Sequence, residues 1–109
     1  MALPRAKPGE VVNLQPLGPD LLTTKTAAIV KTRSFEAVRL VVPAGREIAP
    51  HQVSGPITLH CLEGQVLLGL EESNVELSAG QWIYLDAGAS HSVKGIDDSS
   101  LLLTILFDS

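Results

Sequence analysis

The chain of 109 residues holds one cysteine, one methionine and few aromatic side chains, and only 18% of it is charged. A single cysteine excludes a disulfide framework and a multi-cysteine zinc site. No apolar stretch approaches the roughly 20 residues that cross a bilayer, so no membrane span is expected. The longest such run, Leu101 to Phe107, is interrupted by Thr104. The opening MALPRAKPGE lacks the apolar core of a secretion signal, so a cytoplasmic location is expected. Nor does any window of ten residues keep an uninterrupted apolar face at helical spacing. Low aromatic and charged content does not mean disorder, because 45% of the residues are hydrophobic and the mean hydropathy is +0.25. This length gives one domain with one core.

The charges are few and unevenly placed. Residues 1–46 carry seven bases and three acids (+4), and residues 47–109 carry one base and nine acids (−8). The bases Arg5, Lys7, Lys25, Lys31, Arg33, Arg39 and Arg46 are dispersed, without a cluster or interleaved aromatics, so no nucleic-acid partner is expected. The simpler reading is that basic N-terminal strands lie against acidic C-terminal ones, within one chain or across a dimer.

Sixteen proline and glycine residues cut the chain into short pieces. Within the pieces, period two recurs: Val38, Leu40 and Val42 share one parity, as do Val66, Leu68 and Leu70. The segments 81–85 and 101–107 are apolar on both parities, as strands covered on both faces would be. The spacing predicts strands near 11–14, over 26–42 as one long strand or a pair, and at 48–53, 57–62, 65–70, 75–77, 81–85, 91–94 and 100–107. Turns are expected at Leu62–Gln65, read as a hairpin, at Glu71–Asn74 and at Ser78–Gly80. Eight or nine short strands in an all-β chain suit a jelly roll. Residues 1–24 form an N-terminal segment whose strand packs on the barrel or on a dimer partner, and 25–109 form the barrel.

Two stretches carry the informative pattern. Gly45-Arg-Glu-Ile-Ala-Pro-His51 is followed by Gly64, and Gly80-Gln-Trp-Ile-Tyr-Leu-Asp-Ala-Gly88-Ala-Ser-His91 follows fifteen residues later. Together they resemble the two motifs of the cupin superfamily, G-x5-H-x-H-x3,4-E-x6-G and G-x5-P-x-G-x2-H-x3-N. The resemblance spans about residues 45–95 and implies an RmlC-like double-stranded β-helix, a jelly-roll barrel. It also implies where a divalent metal would sit, on three histidines and a glutamate.

Here the second histidine position is Val53 and the glutamate position is Ile57, while the second motif has Asp86 for proline and Gly95 for asparagine. Valine and isoleucine have no lone pair, so of the four ligands the resemblance implies only His51 and His91 remain. Strand alternation turns Ile57, Leu59 and Cys61 inward, and Thr58 and His60 outward. Gln52 is expected to face outward as well, and Cys61 reads as a small core residue.

Three functions stay open. One is a cupin without the usual metal, binding a small organic molecule or anion in a pocket of His51, Val53, Ile57, Leu59, Tyr84 and His91. Another is a metal-dependent oxygenase, isomerase or decarboxylase with a weakly bound divalent cation on His51 and His91. The third is a dimeric interaction module whose barrel is filled by its own side chains. The 33 Val, Leu and Ile residues are many for one small sandwich and point to a homodimer, with the terminal and N-terminal strands in contact.

Overall fold

A computed structural model describes residues 5–51 and 55–107, with backbone alone for 49–51. Nine strands are found among these residues: β1 (Ala27–Lys31), β2 (Phe35–Val42), β3 (Glu47–His51), β4 (Ile57–Glu63), β5 (Gln65–Gly69), β6 (Asn74–Ser78), β7 (Trp82–Leu85), β8 (His91–Gly95) and β9 (Ser99–Leu106). They form a five-stranded sheet in the order β1-β2-β9-β4-β7 and a four-stranded sheet in the order β3-β8-β5-β6. All pairings are antiparallel. The fold is an all-β jelly roll.

Period two builds the core. One parity of β4 buries Ile57, Leu59 and Cys61, and neighbouring β9 buries Leu101 and Leu103; the facing sheet buries Val66 and Leu68 of β5 and Val93 of β8. Each large aliphatic side chain so removed from water contributes roughly 1.5–3 kcal/mol. Burial also excludes water from the strand hydrogen bonds, so pattern and ladder reinforce one another.

Four expectations need correction. Residues 11–14 form no strand; they run irregularly over the outside with Val11 exposed, and a 3-10 turn at Gly18–Thr23 follows. Pro16 and Pro19 cannot donate ladder hydrogen bonds, which disfavours regular pairing here. The turn at Gly64 is a corner and not a hairpin: β4 belongs to one sheet and β5 to the other. Gly64 has φ +82°, and a Cβ there would meet Ser99 Oγ at 2.3 Å and the Asp98 carbonyl at 2.4 Å, so no other residue fits without displacement. The second turn is a true hairpin, with Gln65 opposite Ser78 and Gly69 opposite Asn74.

The third correction concerns the two strands read as covered on both faces. β9 is central, flanked by β2 and β4, whereas β7 is an edge strand whose outer face leaves Trp82 60% and Tyr84 52% exposed. The terminal strand therefore offers no free edge to a partner. The fourth concerns charge. β2 pairs along its whole length with β9, but β9 (SSLLLTIL) holds no charged residue, so the basic and acidic halves meet there through apolar contact.

The N-terminal segment crosses the outer face of the five-stranded sheet as a strap. Leu21 is its buried anchor, and the amide of Ala6 donates to the carbonyl of Ile29. Arg39 reaches out from β2 and donates from Nη1 to the Asn13 carbonyl and from Nη2 to that of Gln15. The Gly18 amide donates to Glu63 Oε2 at 3.5 Å.

Candidate functional site

The two ends of the barrel differ in composition. Toward the end at Gly64 and Gly95 the one histidine, His60, is on the outer face of its sheet. The opposite end gathers the C-terminus of β3, the start of β4, the end of β7 and the start of β8, because these strands run antiparallel in adjacent positions. There the register sets His51 of β3 directly opposite His91 of β8. A shift in register between Ile48 and His51 precedes this pair.

His91 is 2% exposed, with Nδ1 3.2 Å from the Ala89 carbonyl. A carbonyl only accepts, so Nδ1 is the donor in this contact, and the Ala89 carbonyl helps fix the orientation of the ring. The turn that presents it runs from Asp86, whose carbonyl accepts from the Ala89 amide at 3.2 Å.

Ile57 and Leu59 lie inside the barrel as the alternation requires, 2% and 1% exposed. Ile57 is opposite Leu85 on one side and Ile105 on the other, and Leu59 is opposite Ile83 and Leu103. The wall near His91 is therefore aliphatic. Leu85 and Ile105 escape a reading of the sequence alone, because both parities of their segments are apolar and the inward one is not marked.

Tyr84 is the site expectation that fails. It is the register partner of Thr58 on the outer face, and it lies one position away from inward Leu85, so strand alternation sends it away from the barrel interior. Its hydroxyl donates to Asp86 Oδ1 at 2.8 Å, and that carboxylate holds the phenol above its ordinary pKa of 10.0. Val53 and Gln52 lie outside the described residues. His60 is on the outer face, opposite Trp82 and Leu102.

Cys61 supplies no third donor. It is four residues along β4 from Ile57, about 13 Å at strand rise, and fully buried near the other end. Its thiol donates to the Glu63 carbonyl at 3.4 Å, and burial pushes its pKa up from 9.0, away from the thiolate that binds metal. Among the described residues no group of three or more His, Cys, Asp and Glu side chains could hold a metal ion. With a buried isoleucine in the glutamate position, the donor set does not fit the four-ligand centre that the cupin resemblance implies.

No protein-family model and no curated protein matches the sequence. Solved structures do match the fold. A conserved protein of unknown function from Streptococcus pyogenes superposes with a TM-score of 0.80 at 17% identity, over 100% of this chain and 96% of that one. A cupin superfamily protein from Desulfitobacterium hafniense gives 0.75 at 13% identity, covering 91% of this chain and 100% of its own. An RmlC-like cupin with a double-stranded β-helix from Methanocaldococcus jannaschii gives 0.74 at 17%, covering 90% and 93%. The chain has the cupin fold.

Proposed function

We propose that this cupin-fold protein binds a small organic molecule or anion at the histidine end of its barrel, without a four-ligand metal centre, and does so as a homodimer. The observation that carries the reading is the buried Ile57 where the family pattern has glutamate, beside the opposed His51 and His91 positions. A metal ion there would lose its hydration to aliphatic walls and gain too few donors in return. An organic ligand gains from the same walls, and the imidazoles at this end give it polar contacts.

Metal quantification of the purified protein, followed by an NMR titration with small carboxylic acids and alcohols, tests this. The expected outcome is metal well below one equivalent and saturable shifts at Ile57, Ser92 and Val93. One equivalent of iron, manganese, nickel or zinc that disappears in His51→Ala overturns it. The dimer is argued from Trp82, Tyr84 and Leu106, exposed on one sheet face. Sedimentation of Trp82→Glu should shift the protein toward monomer; a monomeric parent protein removes the dimer.

A second reading, the interaction module, draws support from the tight filling of the middle of the barrel by Leu59, Cys61, Val66, Leu68 and Leu101, each no more than 1% exposed. It predicts that no small molecule shifts Ser92 or Val93.

A further inference from the structure

The outer side of the five-stranded sheet carries a feature independent of the barrel interior. Among the described residues, the buried side-chain polar atoms without a hydrogen-bond partner are Arg39 Nε, Glu63 Oε1 and Ser100 Oγ. All three lie on this sheet. Arg39 and Val41 of β2 face Leu102 and Ser100 of β9, and Ser100 is in turn opposite Glu63 of β4. A buried donor without an acceptor is costly, and native proteins meet the need with water or an ion.

Arg39 differs from the other two because it also lines a cavity. The cavity, about 250 Å³, lies between the strap and β1, and Val12, Ala27 and Ile29 contribute apolar walls. Its charged lining is Lys25, Arg39 and Glu10, a balance of 2 − 1 = +1. Arg39 holds the strap through Nη1 and Nη2, which fixes the guanidinium beside the cavity and leaves Nε the donor without an acceptor. The volume lies just below the roughly 300 Å³ of the smallest common ligand pockets, so the occupant is small.

We infer that this cavity beneath the N-terminal strap is a second binding site, for a small aliphatic carboxylate. The carboxylate lies between Lys25 and Arg39, where the two cations of the lining complement its charge. The aliphatic part covers Val12, Ala27 and Ile29, and Glu10 accepts from an amino group where the ligand carries one. Charge-assisted contact to a guanidinium fixes the orientation, and the apolar walls select short branched chains over polar ones.

The experiment is an NMR titration of the full chain with isovalerate and, separately, with valine, which differ by the amino group that Glu10 would receive. Saturable shifts are expected at Ala27, Ala28, Ile29 and the Arg39 Nε–H signal, with Ser92 and Val93 at the barrel end unmoved by this event. Tighter binding of valine than of isovalerate shows that Glu10 takes part; equal binding places the recognition on the carboxylate alone. Ala27→Leu, which fills the cavity, and Lys25→Gln, a change at an exposed residue, should each weaken binding roughly tenfold or more. No saturable shift at β1 with either compound, or shifts unchanged in Ala27→Leu and Lys25→Gln, overturns the inference. Shifts confined to Ser92 and Val93 overturn it too, while leaving the barrel proposal standing.

Discussion

Two turns at opposite ends of this barrel, at Gly64 and at Gly88, are held by different means. At the Gly64 end, Ser99 is completely buried and its hydroxyl is saturated: it accepts from the Gln65 amide at 3.0 Å, and the Gln65 and Asp97 carbonyls lie 3.1 and 2.7 Å away. Gly64 fits against it with no room for a side chain. At the His91 end, the turn glycine Gly88 also has positive φ, +77°, yet nothing lies within 4 Å of where its Cβ would be. The Gly64 corner is specified by packing and the Gly88 turn by backbone conformation alone. The contrast is between these two turns, since Gly55 at the histidine end also has a Cβ position 1.6 Å from the Leu106 carbonyl oxygen. Gly45, Gly64, Gly80 and Gly88 all adopt the left-handed conformation, while Val53 and Ile57 stand where the cupin resemblance implies metal ligands. Turn geometry is a requirement of the fold, whereas a ligand side chain is a requirement of a site built on it.

The largest effect should come from breaking the histidine end. Ile57→Glu places a carboxylate at a buried aliphatic position and should destabilise the protein by roughly 3–5 kcal/mol in urea unfolding. Added zinc or manganese restoring much of that loss would show that His51 and His91 can complete a metal site once an acid is supplied. At the opposite end, Gly64→Ala should cost roughly 2–5 kcal/mol, from the left-handed φ plus displacement of Ser99 and Asp98. Gly88→Ala should cost only about 1–2 kcal/mol, from φ alone. Equal costs would erase the contrast between the two turns. Ser99→Ala removes one well-bonded hydroxyl and strands the Gln65 amide, so a loss of about 1–3 kcal/mol is expected.

The smallest effect belongs to the outside. Tyr84→Phe should lower the urea midpoint at pH 7 only slightly, because the hydroxyl and its partner are exposed. The Tyr84 phenol is held above its ordinary pKa of 10.0 by Asp86. A raised pKa in the folded state stabilises the fold below the unfolded value, and this contribution is lost as pH rises through the folded value. Any difference between Tyr84→Phe and its parent should therefore fade above pH 10; a difference that grows there would contradict the assigned hydrogen bond.

Particular residues show what could be read in advance. The inward set Ile57, Leu59 and Cys61 and the outward Thr58 and His60 followed from period two, because neighbouring side chains on a strand must point to opposite faces. The strand boundaries from β3 to β9 followed within a residue or two from glycine, proline and polar turn residues, which set or forbid local φ and hydrogen bonding. The break between β1 and β2 at Thr32–Ser34, by contrast, holds neither glycine nor proline and was left open. Tyr84 and the strand near 11–14 did not follow. Their placement depends on whether a strand lies at the edge of a sheet or in its middle, a relation between segments distant in sequence. The cavity at Arg39 was equally hidden, since it joins residues 10–12 to residue 39 through a strap without a repeating pattern.

By itself the sequence determined a small aliphatic all-β domain, the positions of its turns, and the absence of two of the four metal donors expected of a cupin. These are local properties of residue type and spacing. The tertiary structure alone decided that Gly64 is a corner between sheets, that Trp82 and Tyr84 stand exposed on an edge strand, and that the backbones of His51 and His91 are opposed. It also decided that half-buried Arg39, with its Nε enclosed, lines a cavity with charged walls. Each of these rests on the pairing of strands remote in the chain, which is set by burial of the shared core and not by the local pattern of any one strand.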